Sequence, residues 1–436
     1  MNKLGDHIEY VKGFAFKSKD YTETGIPVIR VSNFTDNSID IKDVYHIPKE
    51  RFSEFQKVSL IKDDIVIATV GSWPTNPSSV VGKTIRVPPE ANNTLLNQNA
   101  VRIRSLDKDE QLYFYYVLKD KSFSDYIIST AQGSANQASI TLKSILDYDL
   151  PNIDSKEKRI KIGKTLATYD EKIQLNTQIN QTLEQITQAL FKSWFVDFDP
   201  VRAKVQALSD GLSFKQAELA AMQAISGKTP EELTALSQTQ PERYAELAET
   251  AKAFPCEMVE VDGVEVPKGW EVKRIEEVIK KIPVGKKYSS KTAFSEGLVP
   301  ILDQGRSGVI GYHNDEPGVK ASIEDPIIVF ANHTCYMRLI SYDFSAIQNV
   351  FAFKGKECDV FWVYLATLGK QEFVEYKGHF PDFLIKEIIV PPKKLTALFR
   401  KYVKESFSKI FINDRENSSL AKIRDLLLPK LLNGEI

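Results

Sequence analysis

Residues 176–186 run Asn176-Thr177-Gln178-Ile179-Asn180-Gln181-Thr182-Leu183-Glu184-Gln185-Ile186, and 237 residues later the chain reads Asn413-Asp414-Arg415-Glu416-Asn417-Ser418-Ser419-Leu420-Ala421-Lys422-Ile423. Asn, Asn, Leu and Ile fall at the same places in both stretches. Four further blocks recur in the same order. Ile26-Pro27-Val28-Ile29 returns as Val299-Pro300-Ile301-Leu302, and Asp63-Asp64-Ile65-Val66-Ile67 as Asp325-Pro326-Ile327-Ile328-Val329. Gln98-Asn99-Ala100 returns as Gln348-Asn349-Val350, and Leu150-Pro151 as Val390-Pro391. The offsets fall steadily through 273, 262, 250, 240 and 237, as two collinear copies with shorter loops in the second would give. A period this long indicates a duplicated domain, not a solenoid.

Outward from the opening stretch, Ile162, Leu166, Tyr169, Ile173, Asn176, Asn180, Leu183, Thr187, Leu190 and Trp194 are spaced three and four residues apart. The second copy matches with Phe399, Val403, Ser406, Ile410, Asn413, Asn417, Leu420, Arg424, Leu427 and Leu431. Both are heptad seams, apolar at the ends and polar in the centre. Each predicts a helix of about 40 residues and, at 1.5 Å per residue, about 60 Å, longer than one small domain covers. A buried Asn costs stability in a coiled coil but fixes register. Asn176, Asn180 and Leu183 therefore read as helix-pairing positions facing Asn413, Asn417 and Leu420. The plainer alternative is two amphipathic helices, each packed on its own domain.

The first part of each copy reads as strands: 27–31, 65–70 and 100–104, then 299–302, 327–331 and 350–353. All are short, β-branched and bounded by Gly, Pro, Asn and Ser. Residues 110–119 and 359–370 read as aromatic-rich buried helices, so each copy is a mixed α and β domain. Residues 201–266 differ. They are rich in Ala, Gln and Glu, hold 6 basic and 11 acidic groups, and read as short polar helices forming a connector, with Thr229-Pro230-Glu231-Glu232 a helix start.

Composition sets outer bounds. A chain of 436 residues with 42% hydrophobic and 26% charged residues is globular and large enough for two or three domains. Its 57 Lys and Arg against 58 Asp and Glu lack the bulk basicity of a nonspecific nucleic-acid binder. No apolar run approaches the roughly 20 residues of a membrane span. The charged stretch 1–10 carries no export signal, and three cysteines without a CxxC pair fit a reducing cytoplasm, not a disulfide or zinc framework.

Catalytic patterns are missing. The chain contains no P-loop, no G-x-G-x-x-G and no G-x-S-x-G, and its five histidines form no H-E-x-x-H pair. Asp197-Phe198-Asp199-Pro200 resembles an amino-methyltransferase motif, but Val201 stands where a second Pro belongs. Asp170-Glu171-Lys172 resembles a fragment of a metal-dependent nuclease site, yet on a heptad helix it reads as a solvated charged face. The loops at strand ends are instead polar and aromatic. Ser72, Trp73 and Asn76 follow one predicted strand, and Asn332 and His333 follow its counterpart. Gln304, Arg306 and Ser307, Tyr312 and His313, and Ser134, Asn136 and Gln137 supply three more such groups. Arg suits guanine, and Asn or Gln suits adenine, in a major groove. The competing reading is that turns simply favour Gly, Ser and Asn. Gln98-Asn99 and Gln348-Asn349, identical in both copies, suit a shared scaffold better than readers of two different sequences.

At the end of the first long helix stands Leu190-Phe191-Lys192-Ser193-Trp194-Phe195-Val196-Asp197-Phe198-Asp199-Pro200-Val201-Arg202-Ala203-Lys204. With Val266-Pro267-Lys268-Gly269-Trp270 opening the second copy, Gln98-Asn99, and a Pro before each long helix, this resembles the specificity subunits of type I restriction-modification systems over nearly the whole chain. The resemblance implies an α+β architecture: two similar mixed α/β target recognition domains, separated by two long antiparallel α-helices as a coiled-coil spacer, with a pseudo-twofold internal repeat. Boundaries follow as recognition domains at 1–150 and 267–390, spacer helices at 151–200 and 391–436, and an acidic helical connector at 201–266. The implied function is non-catalytic reading of a split asymmetric site on double-stranded DNA. The helices would dock two modification subunits that methylate adenine, and restriction subunits would join them. S-adenosylmethionine, ATP and Mg would sit on those partners, with no cofactor or metal on this chain and no membrane. Two alternatives from other classes are a stand-alone metal-dependent nuclease with a duplicated domain and a coiled-coil interaction scaffold.

Overall fold

The apolar stretch Ile65–Ala68 is buried at every residue, as a strand covered on both faces is, and lies inside the main sheet of the first copy. The computed structural model describes residues 2–35, 38–73, 79–134, 137–153, 155–261, 263–305 and 308–436. Its contacts group into two units, Met1–Leu175 with Glu416–Ile436, and Asn176–Arg415.

In the first unit the strands are β1 (Ile8–Lys12), β2 (Ile26–Ile29), β3 (Tyr45–Ile47), β4 (Ile65–Ala68), β5 (Val70–Gly71), β6 (Thr84–Arg86), β7 (Leu95–Leu96), β8 (Ala100–Ser105), β9 (Gln132–Ser134) and β10 (Gln137–Ser139). They form an antiparallel sheet β1-β8-β4-β6, a sheet β3-β2-β7 whose β2–β7 pair is parallel, and a sheet β5-β10-β9. Helix Gln111–Lys119 buries Tyr113, Phe114, Tyr115 and Tyr116 in the core beneath the main sheet.

The second unit adds β11 (Met258–Val261), β12 (Val264–Pro267), β13 (Glu271–Arg274), β14 (Ile279–Ile282), β15 (Lys287–Tyr288), β16 (Val299–Leu302), β17 (Val309–His313), β18 (Ile327–Ala331), β19 (Met337–Ile340), β20 (Ser345–Ile347), β21 (Val350–Gly355) and β22 (Glu387–Val390). Its main sheet, β14-β21-β18-β19, repeats β1-β8-β4-β6 strand for strand, and β20-β16-β17 repeats β7-β2-β3. Helix Val360–Thr367 takes the place of Gln111–Lys119. Register corrects one alignment. Ala68 pairs with Ala100, and Ala331 with Val350, so β4 maps on β18 at an offset of 263, one residue more than the Asp-containing block suggests. Acidic residues before a strand belong to its turn and do not set its pairing; the buried alternation does.

Two helices of 40 residues, Lys156–Phe195 and Lys393–Leu432, each contribute to both units. In the first unit Ile162 and Leu166 share a core with Leu428 and Leu432. Asp170 accepts from Arg424 Nη1 at 2.5 Å and from the Tyr116 hydroxyl at 2.6 Å. In the second unit Asn413 Nδ2 donates to Asn180 Oδ1 at 2.8 Å, and Trp194 meets Phe399 edge-on at 5.5 Å. One number rises as the other falls, so the helices run antiparallel. Asp170 thus corrects the expectation of a solvated face: its side chain is 16% exposed and Arg424 13%, because Tyr116 and Arg424 close over it. In each unit an ion pair also ties the start of the aromatic helix to a long helix, Arg159 to Glu110 at 2.5 Å and Arg400 to Asp359 at 2.9 Å.

Residues between the copies do more than connect. Helices Asp199–Ser209, Phe214–Ser226, Pro230–Thr239 and Pro241–Ala253 start on Pro or on the capping boxes of Ser213 and Thr229. They bury Val201, Ala221, Met222, Leu233, Leu247 and Ala251 in the same core as Trp194 and Phe254. Glu246 and Glu249 pair with Lys401 and Lys394 of the second long helix, both at 3.0 Å. The Trp194-to-Lys204 stretch is likewise architectural. Phe198 adopts φ 58° to end the long helix, and Lys204 is buried with Nζ donating to the Phe254 carbonyl at 2.7 Å. Among the described residues no helix is long and apolar enough to cross a membrane.

Candidate nucleic-acid interface

In both units the ends of three strands are drawn together by backbone bonds. Thr69 N donates to the Asn99 carbonyl and Asn332 N to the Asn349 carbonyl, both at 2.9 Å. Gln98 and Gln348 are exposed at the same turn in the two units, with Asn99 and Asn349 half-buried beneath them. Asn97 N donates to the Ile29 carbonyl at 2.9 Å, which brings the segment after β2 to the same rim. The repeated Gln-Asn turn is therefore the bracket beside which segments that differ between the two copies are mounted.

On the first unit's rim, β10 pairs with β5 and β9, so Gly71, Ser72 and Trp73 lie beside Gln137 and the backbone of Ser134. Gly133 is required in this hairpin: at φ 154° an added Cβ would stand 2.0 Å from the Gln137 carbonyl. Trp73 packs against the core, the Ser72 carbonyl accepts from Ser79 Oγ at 2.5 Å, and Gln137 is exposed. Asn76 and Asn136 lie outside the described residues.

The second unit gathers Gln304 and His333. Gln304 Oε1 accepts from His333 N at 2.9 Å, and its carbonyl accepts from Thr334 Oγ1 at 2.6 Å. The His333 ring stacks on Tyr376 with centroids 4.9 Å apart. Asn332 is 8% exposed and acts as a brace, its Oδ1 accepting from Phe380 N at 2.9 Å. His313, nominated as a base reader, is instead an interior residue at 2% exposure. It stacks on Tyr288 at 4.2 Å, its Nδ1 accepts from Asp315 N at 3.0 Å, and its Nε2 bonds Ser345 Oγ at 2.9 Å. Burial lowers its pKa against the smaller opposing pull of Asp315. Tyr312 is half-buried beside it. Arg306 and Ser307 lie outside the described residues.

The sequence reading passed over two further groups on these rims. One is the exposed segment carrying Phe373, Val374 and Tyr376, the last 84% exposed. The other is a stack in the first unit, Arg30 over Tyr45 at 4.2 Å and Tyr45 over Tyr21 at 4.5 Å. The available signal was the repeat itself, since Arg30 follows β2 as the nominated segment with Gln304 follows β16. The helix-pairing positions divide similarly. Asn176, Asn180 and Asn413 are buried, Asn417 and Leu420 half-buried, and Leu183 packs on the second unit's core. Among the described residues no cluster of three or more His, Cys, Asp or Glu is placed to hold a metal.

Comparison with known proteins adds an independent line. Residues 1–185 match the family described as the type I restriction modification DNA specificity domain. The chain is 44% identical over 355 residues to the specificity subunit of the type I restriction enzyme HindI of Haemophilus influenzae, covering 74% of this chain and 77% of that one. It is 24% identical over 350 residues to the MjaIX specificity subunit of Methanocaldococcus jannaschii, covering 74% and 68%. In fold it is similar to the crystal structure of a type I restriction-modification S subunit from M. genitalium, with a TM-score of 0.52 at 17% identity over 99% of this chain and 95% of that one.

Proposed function

The chain belongs to the specificity subunits of type I restriction-modification systems, and from that premise we propose that its two repeat copies each read one half of a split asymmetric site on double-stranded DNA. The observation that carries this reading is the strand-for-strand repetition of the main sheets, β1-β8-β4-β6 and β14-β21-β18-β19, joined to unlike residues on the two rims. Equal scaffolds with different edges suit two half-sites of different sequence. Residues 1–150 and 267–390 act as the recognition domains, 151–200 and 391–436 as the spacer, and 201–266 as a brace on the second. Ser72, Gln137, Gln304, Tyr312 and His333 face the bases, together with Asn76, Ser134, Asn136, Arg306 and Ser307, while Trp73, Asn332 and His313 hold the edge from behind.

Base contacts carry specificity and phosphate contacts carry much of the affinity. A chain of net charge −1 therefore reads while its partners grip. The long helices dock two modification subunits bearing S-adenosylmethionine, and restriction subunits using ATP and Mg complete the cytoplasmic assembly. Readers of two half-sites on one face of B-DNA must reach positions about 34 Å apart, or a multiple of that. The test is genome-wide mapping of N6-methyladenine with the gene present and deleted. A split asymmetric motif should vanish on deletion. Unchanged methylation with the partner subunits expressed would refute the proposal.

A further inference from the structure

We infer that Arg30 is a specificity-determining residue of the first recognition domain, held ready by Tyr45 and Tyr21 to read a guanine edge in the major groove. This rests on the function proposed above and extends it to a residue and a base. Antiparallel pairing sets Val28 opposite Tyr45, and two residues further on Arg30 lays its guanidinium on the Tyr45 ring at 4.2 Å. Tyr45 in turn stacks on Tyr21, centroids 4.5 Å apart and planes 18° apart. The Tyr21 side chain lies near that of Asn97, next to the bracket turn at Gln98-Asn99. Below, Arg30 N donates to Asn33 Oδ1 at 2.9 Å, which closes the turn Val31–Asn33 and fixes the backbone from which the side chain departs.

The guanidinium is positioned without being used. Among the described residues Arg30 has no carboxylate within ion-pair distance and no side-chain hydrogen bond, and its Nε is buried without a partner. An Arg whose purpose was stability would be expected to meet an acid. The contrast stands shortly after β3, where Arg51 bonds both Asp20 and Glu54. Stacking on an aromatic face immobilises a long side chain while leaving its planar fork open. Ordering before contact lowers the entropic cost of a two-bond contact to guanine O6 and N7. Partial burial of Tyr45, 46% exposed, leaves this stack at the surface. The second copy differs at the equivalent place, where the offset of 273 puts Asp303 opposite Arg30. Divergence there within a repeated frame is the pattern that two readers of unlike sequence require.

The experiment uses the chain assembled with its modification subunits. Adenine methylation is measured on duplexes in which each base pair of the mapped target is replaced in turn, for wild type, Arg30→Ala, Arg30→Lys and Tyr45→Ala. Arg30→Ala should lower discrimination at one G·C position of one half-site by about 5- to 150-fold, with the other half-site read as before. Arg30→Lys should lose the same discrimination, since an ammonium cannot reproduce the fork, and Tyr45→Ala should lose part of it. Retained discrimination at the other positions of the same half-site shows that the first domain of each variant is folded. Unaltered discrimination in Arg30→Ala would overturn the inference, as would an even loss over all duplexes restored by Lys, which marks a phosphate contact. If wild type methylates no split target, the proposed function itself falls, which is a separate result.

Discussion

Replacing Asn180 and Asn413 by Leu, singly and together, tests whether the two long helices are held in register by one shared amide pair. Asn413 is fully buried and Asn180 is 7% exposed. Asn413 Nδ2 donates to Asn180 Oδ1, Asn180 Nδ2 donates to Asp414 Oδ1 at 2.7 Å, and Asn413 Oδ1 has no partner. The singles are therefore unequal. Asn180→Leu strands the whole buried amide of Asn413 and takes the donor from Asp414, at a cost of about 2–3 kcal/mol for unpaired buried groups. Asn413→Leu strands only Asn180 Oδ1 and removes an oxygen already unpaired, so it should cost about 0–1 kcal/mol. With both replaced, no stranded amide remains, and the double variant should be more stable than the sum of singles by about 1–2 kcal/mol. Urea unfolding followed by circular dichroism and by tryptophan fluorescence reads the cycle, because Trp194 is buried in the same core. Additivity within about 0.3 kcal/mol, or a costlier Asn413→Leu, would refute the reasoning.

Gly163 lies in the first long helix where an added Cβ would stand 2.5 Å from Tyr113 N. Gly163→Ala should therefore lower the first unit's stability by about 1–3 kcal/mol through overpacking, despite alanine's better helix propensity; a raised urea midpoint would contradict this. His313 has its pKa lowered by burial, so its neutral form contributes stability above the unfolded pKa, which is lost as pH falls toward the folded value. His313→Gln should remove a component of at most about 1.4 kcal/mol per pH unit below about pH 6.5, seen as a flatter plot of urea midpoint against pH. Asp64, 2% exposed, accepts from Arg104 at 2.5 and 2.8 Å. Asp64→Ala should cost about 3–5 kcal/mol by leaving a guanidinium unpaired in the first unit, and a loss below about 1 kcal/mol would mean that Arg104 finds water instead.

Much of the frame was legible because burial writes itself in short apolar runs. Val299–Leu302 and Ile327–Ala331 were delimited to the residue, and the two long helices followed from spacing. What escaped depended on partners far apart in the chain. The four helices after Phe198 look polar because Ala217, Ala221 and Ala251 make up part of their buried faces, and small apolar residues hardly mark a face. His313 looked like a surface donor because nothing local shows that Tyr288, 25 residues earlier, covers it. Asp170 looked solvated because Arg424 lies 254 residues away. On the rims, the Gln-Asn turn was recognised as scaffold from its repetition. The stack of Arg30 depends on a pairing of β2 with β3 that no spacing rule provides.

The division of the long helices also dictates an order of birth. Every residue of the second unit lies within 176–415, whereas the first unit is completed by 416–436, whose Leu428 and Leu432 enter its core. During synthesis the unit of residues 176–415 can close while the earlier unit still waits for residues 416–436 to leave the ribosome, the reverse of the usual N-terminal-first sequence. A stop codon just after residue 415 would accordingly damage the unit encoded more than 200 codons earlier, by residues 1–175.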